Sequence, residues 1–387
     1  MRFIATSDWH LGMHANYLNE EARPRFQQAR IEALERMGEV AEQKGARFIV
    51  AAGDLFESNH VGPEVVATAL KALRGLPVPI YLVPGNHDPL DAASVYDRPA
   101  FKRGQPPNVH IIRDSKPIDV DEDAQLVGVP WASKFPTVNH VEKLWDELGP
   151  APSNKARIVV AHGAADTLVP DTSGPEAADP ELIEVRLAEQ AIAEGNADFV
   201  VLGDRHSTTE VASGVWYPGS PEVTHRVDTD AGNVLLVEVD VPEASAVSHP
   251  AKATVEVVPV GVWSYLVEDA ELLDASSVDQ LVSRLDHMKG SGRIAMWLRL
   301  SGALTSVEKA RFDAELERLR PTFAKLDIWS RYYDLAVIPD GEDFSDLGLS
   351  GVGSAALEEL LEDADSGDQD ALGALNLLYR LVQEGKQ

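Results

Sequence analysis

The sequence predicts an α/β protein whose chemistry sits at the ends of its strands. Short, apolar, β-prone runs alternate with helical patterns over the first half of the chain, the signature of a sheet built with right-handed crossovers. Five of these runs end in side chains of the kind that ligate metals. The run Ile80-Tyr81-Leu82-Val83 leads into Pro84-Gly85-Asn86-His87-Asp88. That turn puts an amide, an imidazole and a carboxylate at the C-terminal end of a strand, where α/β folds place ligand sites.

In chain order, Phe3-Ile4-Ala5 precedes Asp8-Trp9-His10, and an amphipathic helix follows over residues 25–44. Its apolar positions are Phe26, Ile31, Leu34, Met37, Val40 and Ala41, and Gly45 ends it. Phe48-Ile49-Val50 then leads to Gly53-Asp54, and Pro63 opens a second helix over 64–74, closed by Gly75. Further strands are read at 109–112, 126–129, 158–160, 199–202, 215–217 and 233–239, with helices at 139–148 and 180–193. Ile158-Val159-Val160 runs into His162-Gly163, and Phe199-Val200-Val201-Leu202 into Gly203-Asp204-Arg205-His206.

The first domain is therefore assigned to residues 1–240, followed by a linker at 241–252. A smaller α+β domain at 253–340 is read as strand (255–267), helix (277–288), strand (294–300), helix (307–319) and strand (333–338). Thr305 and Glu308 have capping-box spacing at the start of its second helix. Residues 341–387 form an acidic tail with an amphipathic helix expected at 370–383.

With 387 residues and a hydrophobic fraction of 44%, the chain can bury a large core. It has no cysteine, which excludes disulfides and zinc-thiolate sites and suits a cytoplasmic protein. A strand starting within three residues is read as leaving no room for a signal peptide, and no apolar run approaches the ~18 residues of a membrane span. The net charge is −29. Contact with a polyanion would therefore need a local basic strip or metal ions.

Together the five motifs match the needs of two divalent cations held about 3.5–4 Å apart. A carboxylate must lie between such ions to offset their repulsion, and imidazoles and an amide oxygen can complete each shell. Oxygen and imidazole donors without sulfur suit Mn²⁺, Fe²⁺ or Zn²⁺ better than Ca²⁺ or Mg²⁺. The chemistry implied is hydrolysis of a phosphate ester by a metal-activated water. His14, His60, His110, His140, His225, His249 and His287 lie outside these motifs.

These motifs resemble those of the calcineurin-like metallophosphoesterases: Asp-x-His, Gly-Asp, Gly-Asn-His-Asp/Glu, a lone His and Gly-His-x-His. Within that superfamily the chain is most similar to the nuclease subunits of bacterial SbcCD double-strand-break repair complexes. The similarity is carried by Thr6-Ser7-Asp8-Trp9-His10-Leu11-Gly12, Gly53-Asp54-Leu55-Phe56-Glu57, Pro84 to Asp88, Tyr217-Pro218-Gly219-Ser220 and a small second domain. It implies a two-sheet sandwich flanked by helices, with the second domain as a cap that helps seat DNA. It implies that Asp8, His10 and His206 hold one metal, Asp54 bridges, and Asn86, His162 and Asp204 hold the other. His87 would face the scissile phosphate as general acid. Where the family pattern has Gly-His-x-His, this chain has Asp204, a carboxylate that can replace imidazole while adding negative charge and altering metal preference.

The resemblance thus implies a Mn²⁺-dependent DNA exonuclease or endonuclease acting in double-strand-break repair with an SMC-like ATPase, and a homodimer. Arg98, Lys102 and Arg103 interrupt the acidic surface beside the central motif and are the expected DNA contacts. Two rivals stand beside this reading: a phosphodiesterase or phosphatase acting on a small phosphoester, and a non-catalytic scaffold that keeps its metal site.

Overall fold

Alternation along the early strands buries both of their faces. In a computed structural model, which describes residues 1–169, 180–241, 250–338 and 349–365 and the single positions 371, 374 and 378, Phe3 and Ala5 point one way and Ile4 the other. Phe3, Phe48, Val50, Tyr81 and Val83 meet Leu126, Ile158, Val160, Phe199 and Val201 of a second sheet. On the outer face Ile4, Ile49 and Leu82 pack against Leu34, Met37 and Ala41 of the helix Ala22–Lys44 and against Val66, Leu70 and Leu73 of the helix Pro63–Arg74. A fully buried side chain of this type contributes roughly 1.5–3 kcal/mol. Several on each strand make the strand ends firm points from which the loops start.

The first sheet runs Ala253–Pro259, Asn233–Val239, Arg2–Thr6, Ile49–Ala52, Ile80–Val83, Val109–Ile111 in spatial order, and its last four strands are parallel. The second runs Thr209–Ala212, Val215–Tyr217, Phe199–Gly203, Ala156–His162, Ala124–Gly128, Ile118–Asp119. Its outer face packs Val159, Ala161, Val200 and Leu202 against Val141 and Leu144 of the helix His140–Glu147 and Val185 and Ala188 of the helix Val185–Ala193. Two sheets with helices outside each make the expected sandwich.

The chain divides into two compact units, Met1–Ala15 with Arg23–Trp263, and Asn16–Ala22 with Ser264–Gln387. Here the structure differs from the sequence reading. The strand expected at 255–267 is two strands: Ala253–Pro259 pairs antiparallel with Asn233–Val239 in the first unit, and Ser264–Leu272 belongs to the second. Between them the backbone turns where Val260 N and Gly261 N both donate to Gly232 O, at 2.8 and 2.7 Å. Buried Glu222 fixes the turn by accepting from Val262 N (2.9 Å) and Trp263 N (3.1 Å). Residues 242–249 of the proposed linker lie outside the described residues.

In the second unit Ser264–Leu272, Ile294–Thr305 and Lys325–Ile338 are parallel, joined through the helices Ala275–Asp286 and Ser306–Leu319. The capping box at Thr305 and Glu308 is present. An additional helix, Val352–Asp365, occupies the acidic tail, with Leu357 buried among Leu349, Leu360, Leu361 and Leu378. The helix expected at 370–383 lies outside the described residues apart from 371, 374 and 378. Among the described residues no helix is long and apolar enough to cross a membrane.

Candidate metal centre

Beyond the strands of the first sheet, backbone bonds continue into the loops. Asp8 N donates to Gly53 O, His10 N to Asp54 O and Leu11 N to Leu55 O, each at 3.0 Å, and Glu57 N returns to Leu11 O at 3.0 Å. Two strand-end loops are thereby zipped together with their carboxylates and imidazoles on one side. The cost is backbone strain. Asp8, His10, Asp54 and Asp204 have φ of 53°, 45°, 54° and 100° and are the non-glycine residues with positive φ among those described. Such conformations cost about 1–3 kcal/mol each and persist at functional sites; here all four fall on ligands expected from the sequence. The glycines of the motifs answer to close approach: a Cβ at Gly203 would sit 1.7 Å from Ala52 O, and one at Gly53 2.1 Å from His162 Nδ1.

Hydrogen bonds at Nδ1 decide what each imidazole presents at Nε2. His10 Nδ1 faces Glu57 Oε2 at 3.1 Å. His206 Nδ1 faces the Thr224 hydroxyl, which donates onward to Asp228 Oδ2 at 2.7 Å and so accepts from the ring. With Nδ1 engaged in this way, each ring turns its Nε2 toward the other, 3.1 Å apart, beside Asp8. His162 Nδ1 donates to Ala52 O at 2.9 Å, and its Nε2 faces Asn86 Oδ1 (3.2 Å), Asp54 Oδ2 (3.4 Å) and Asp204 Oδ1 (3.8 Å). Two groups of converging acceptors, with the buried Asp54 beside Asp8 and His162, are a donor set that fits two dications. Of the ligands expected from the sequence, Asp8, His10 and His206 form one group and Asp8, Asp54 and His162 another, while Asn86 and Asp204 lie beside the second through His162 Nε2.

The electrostatics agree. Burial alone would raise the Asp54 pKa and lower that of His162; their mutual attraction reverses both, so Asp54 is held low and His162 well above the usual imidazole value. Burial, reinforced by Asp54, pushes Asp8 up to about 7. Burial and neighbouring His10 push His206 down to about 4, so it stands ready as a neutral ligand. Before an ion binds, the site draws protons that the ion must displace. Mn²⁺ affinity is expected to rise with pH through neutrality and beyond it until His162 has lost its proton, and to fall toward acid by ~10-fold per pH unit for each proton displaced. Calorimetry in buffers of differing ionisation enthalpy would detect the released protons; a pH-independent affinity between 6 and 8 would contradict the assignment.

His87 falls with His10 and Glu57 in a third group of possible ligand atoms, all within 4.8 Å of one another. Its Nδ1 donates to Glu57 O at 2.9 Å, its amide to Asp54 Oδ1 at 2.9 Å, and its Nε2 lies 4.0 Å from Asp54 Oδ2 in a half-exposed ring. Asp88, the last residue of the same motif, is buried and structural. It accepts from Leu55 N, Phe56 N, Gly85 N and the Tyr96 hydroxyl at 2.6–3.1 Å, tying the Asp54 loop to the Asn86 loop.

Of the basic strip, Arg98 turns inward to the carbonyls of Val61 (2.7 Å) and Asn59 (3.3 Å), Lys102 pairs with Asp97 at 2.9 Å, and Arg103 is exposed. The residues that sequence reasoning did not single out are supports. Glu57, Thr224 with Asp228, Ser220, whose hydroxyl donates to Asp8 O, and buried Arg30, which donates to Trp9 O (2.6 Å) and Val223 O (3.0 Å), all brace the ligand loops. Glu57 and Ser220 stand inside the quoted motifs; the others show no local signal because their bonds to the ligand loops reach across loops far apart in the chain.

Strained carboxylates and imidazoles at the strand ends of a two-sheet sandwich define a dimetal hydrolase centre. The pattern of the calcineurin-like phosphoesterases matches residues 1–208, more than half the chain, and the chain belongs to that family. No curated protein matches. Among solved structures, the chain is similar to TT1561 of Thermus thermophilus (15% identity, 67% of this chain and 98% of that one, TM-score 0.38). It is similar also to a putative 5'-nucleotidase from Staphylococcus aureus (14%, TM-score 0.44), with 67% of this chain matched to 54% of that one. A dimetal phosphatase from Danio rerio matches over 61% of this chain and 94% of its own (11%, TM-score 0.36).

Proposed function

We propose that this phosphoesterase is a Mn²⁺-dependent DNA nuclease of the SbcCD type that acts in double-strand-break repair with an SMC-like ATPase. The observation carrying the proposal is the sequence around the ligands, Thr6 to Gly12, Gly53 to Glu57 and Tyr217 to Ser220, followed by a separate compact unit. In this reading Asp8, His10 and His206 hold one ion, Asn86, His162 and Asp204 the other, and Asp54 both. Bound there, the ions supply charge that polarises a phosphoryl oxygen and lowers the pKa of a water. Water would attack phosphorus, the bond to the leaving oxygen would break, and His87, in its imidazolium form with Nδ1–H held by Glu57 O, would give that oxygen the proton on Nε2. The carboxylate of Asp204 favours Mn²⁺ or Mg²⁺ over Zn²⁺ relative to an imidazole. The ATPase partnership would be read by co-purification, and a homodimer by light scattering.

A second reading, a phosphodiesterase or phosphatase of small phosphoesters, is favoured by the net charge of −29 and by the local engagement of Arg98 and Lys102. Activity of the Mn²⁺-loaded protein on duplex DNA ends, against a chromogenic diester and monoester, separates the two. In the nuclease reading, Lys102→Glu with Arg103→Glu weakens DNA binding and lowers its salt slope by about one for each phosphate that is no longer neutralised. Arg98 is left intact because it holds the loop of residues 59–61. Turnover of the small esters alone, with an unchanged salt slope, would favour the second reading.

A further inference from the structure

We infer that Glu57 is a positioning residue that orients two imidazoles of the centre at once, His10 through its carboxylate and His87 through its backbone carbonyl. The inference rests on the dimetal reading of the site and not on the nature of the substrate. Glu57 Oε2 lies 3.1 Å from His10 Nδ1 and Glu57 O lies 2.9 Å from His87 Nδ1. The two rings stand 4.9 Å apart at 89°. A neutral imidazole has one lone pair, on whichever nitrogen lacks the proton, and the partner of the other nitrogen selects it. The carboxylate at Nδ1 therefore makes Nε2 the ligand of His10, and the carbonyl at Nδ1 aims Nε2 of His87 outward.

Glu57 can serve both because its own backbone is pinned: its amide donates to Leu11 O at 3.0 Å, within the zipped loops that carry His10 and Asp54. The three imidazole ligands have different supports. His162 rests on a backbone carbonyl and His206 on a hydroxyl, whereas His10 rests on a carboxylate. A side-chain substitution at Glu57 therefore releases His10 and leaves the carbonyl under His87 in place.

The test is calorimetric titration of Mn²⁺ into the full chain stripped with chelator, a readout without substrate, so that failure of the nuclease reading does not affect it. Wild type is expected to bind two ions. Glu57→Ala should weaken one site by about 10–100-fold, the usual effect of removing a partner of a ligating imidazole, and leave the other unchanged. Glu57→Gln, which keeps an acceptor for Nδ1, should retain most of the affinity. Unchanged Mn²⁺ binding in Glu57→Ala would overturn the inference. So would a loss in Glu57→Gln as deep as in Glu57→Ala, or a lowered Tm with both sites lost, which would make Glu57 a residue of the fold alone.

Discussion

Asp54→Ala is expected to remove paired metal binding and to bring phosphoesterase activity to background. Asp54 is 2% exposed, lies beside both Asp8 and His162, and holds its charge against the opposing effect of burial. Two dications close together need such a carboxylate between them, so one substitution acts on both ions. The fold should survive, because loss of the carboxylate lets His162 shed its proton instead of remaining as an unpaired buried charge. Asp54→Asn keeps an acceptor for His87 N and isolates the effect of charge. Metal content by elemental analysis, with a melting curve as control, checks this. A variant that retained two ions and full turnover would contradict the bridging role.

The second large effect concerns His87. His87→Ala is expected to lower kcat by roughly 10²–10⁴-fold, the range for a general acid, with metal content unchanged. The geometry motivates this: Nδ1 is taken up by Glu57 O, and Nε2, 4.0 Å from Asp54 Oδ2, lies on the half-exposed side of the centre. A leaving group with a low pKa needs little proton assistance, so the defect should shrink on an activated chromogenic ester. Loss of one ion in the variant would instead make His87 a ligand.

The fold and the ligands are legible in the sequence to different depths. Continuous apolar runs ending in Gly, Asp and His mark the ends of strands buried on both faces, so Asp8, Asp54, Asn86, His162 and His206 stand out as strand-end residues, and the resemblance to the family's motifs gives them roles as ligands. The strand Ala253–Pro259 is misread from sequence because its pairing with Asn233–Val239 is a tertiary choice, and the valines on both sides of Pro259 and Gly261 make two strands read as one. Arg98 looks like a free cation, yet its guanidinium is spent on the carbonyls of Asn59 and Val61, which no pattern of charge reveals. The relay from Asp228 through Thr224 to His206 is likewise invisible, since its members meet only when the loop of residues 218–228 folds back.

Asp204 carries the central claim most directly, because it is the position at which the sequence departs from the motif that the other strand-end residues resemble. Its φ of 100°, its amide bonds to both Asp8 oxygens (3.1 and 3.3 Å) and the approach of its carboxylate to His162 Nε2 describe a residue held at the centre. Anomalous scattering from crystals soaked in Mn²⁺ is the decisive measurement. Two peaks, one within about 2.0–2.4 Å of an Asp204 oxygen, the usual range for oxygen ligands, are the expected result. A single peak beside Asp8 and His10, with Asp204 turned away, would contradict the two-metal account and leave a scaffold with one retained ion.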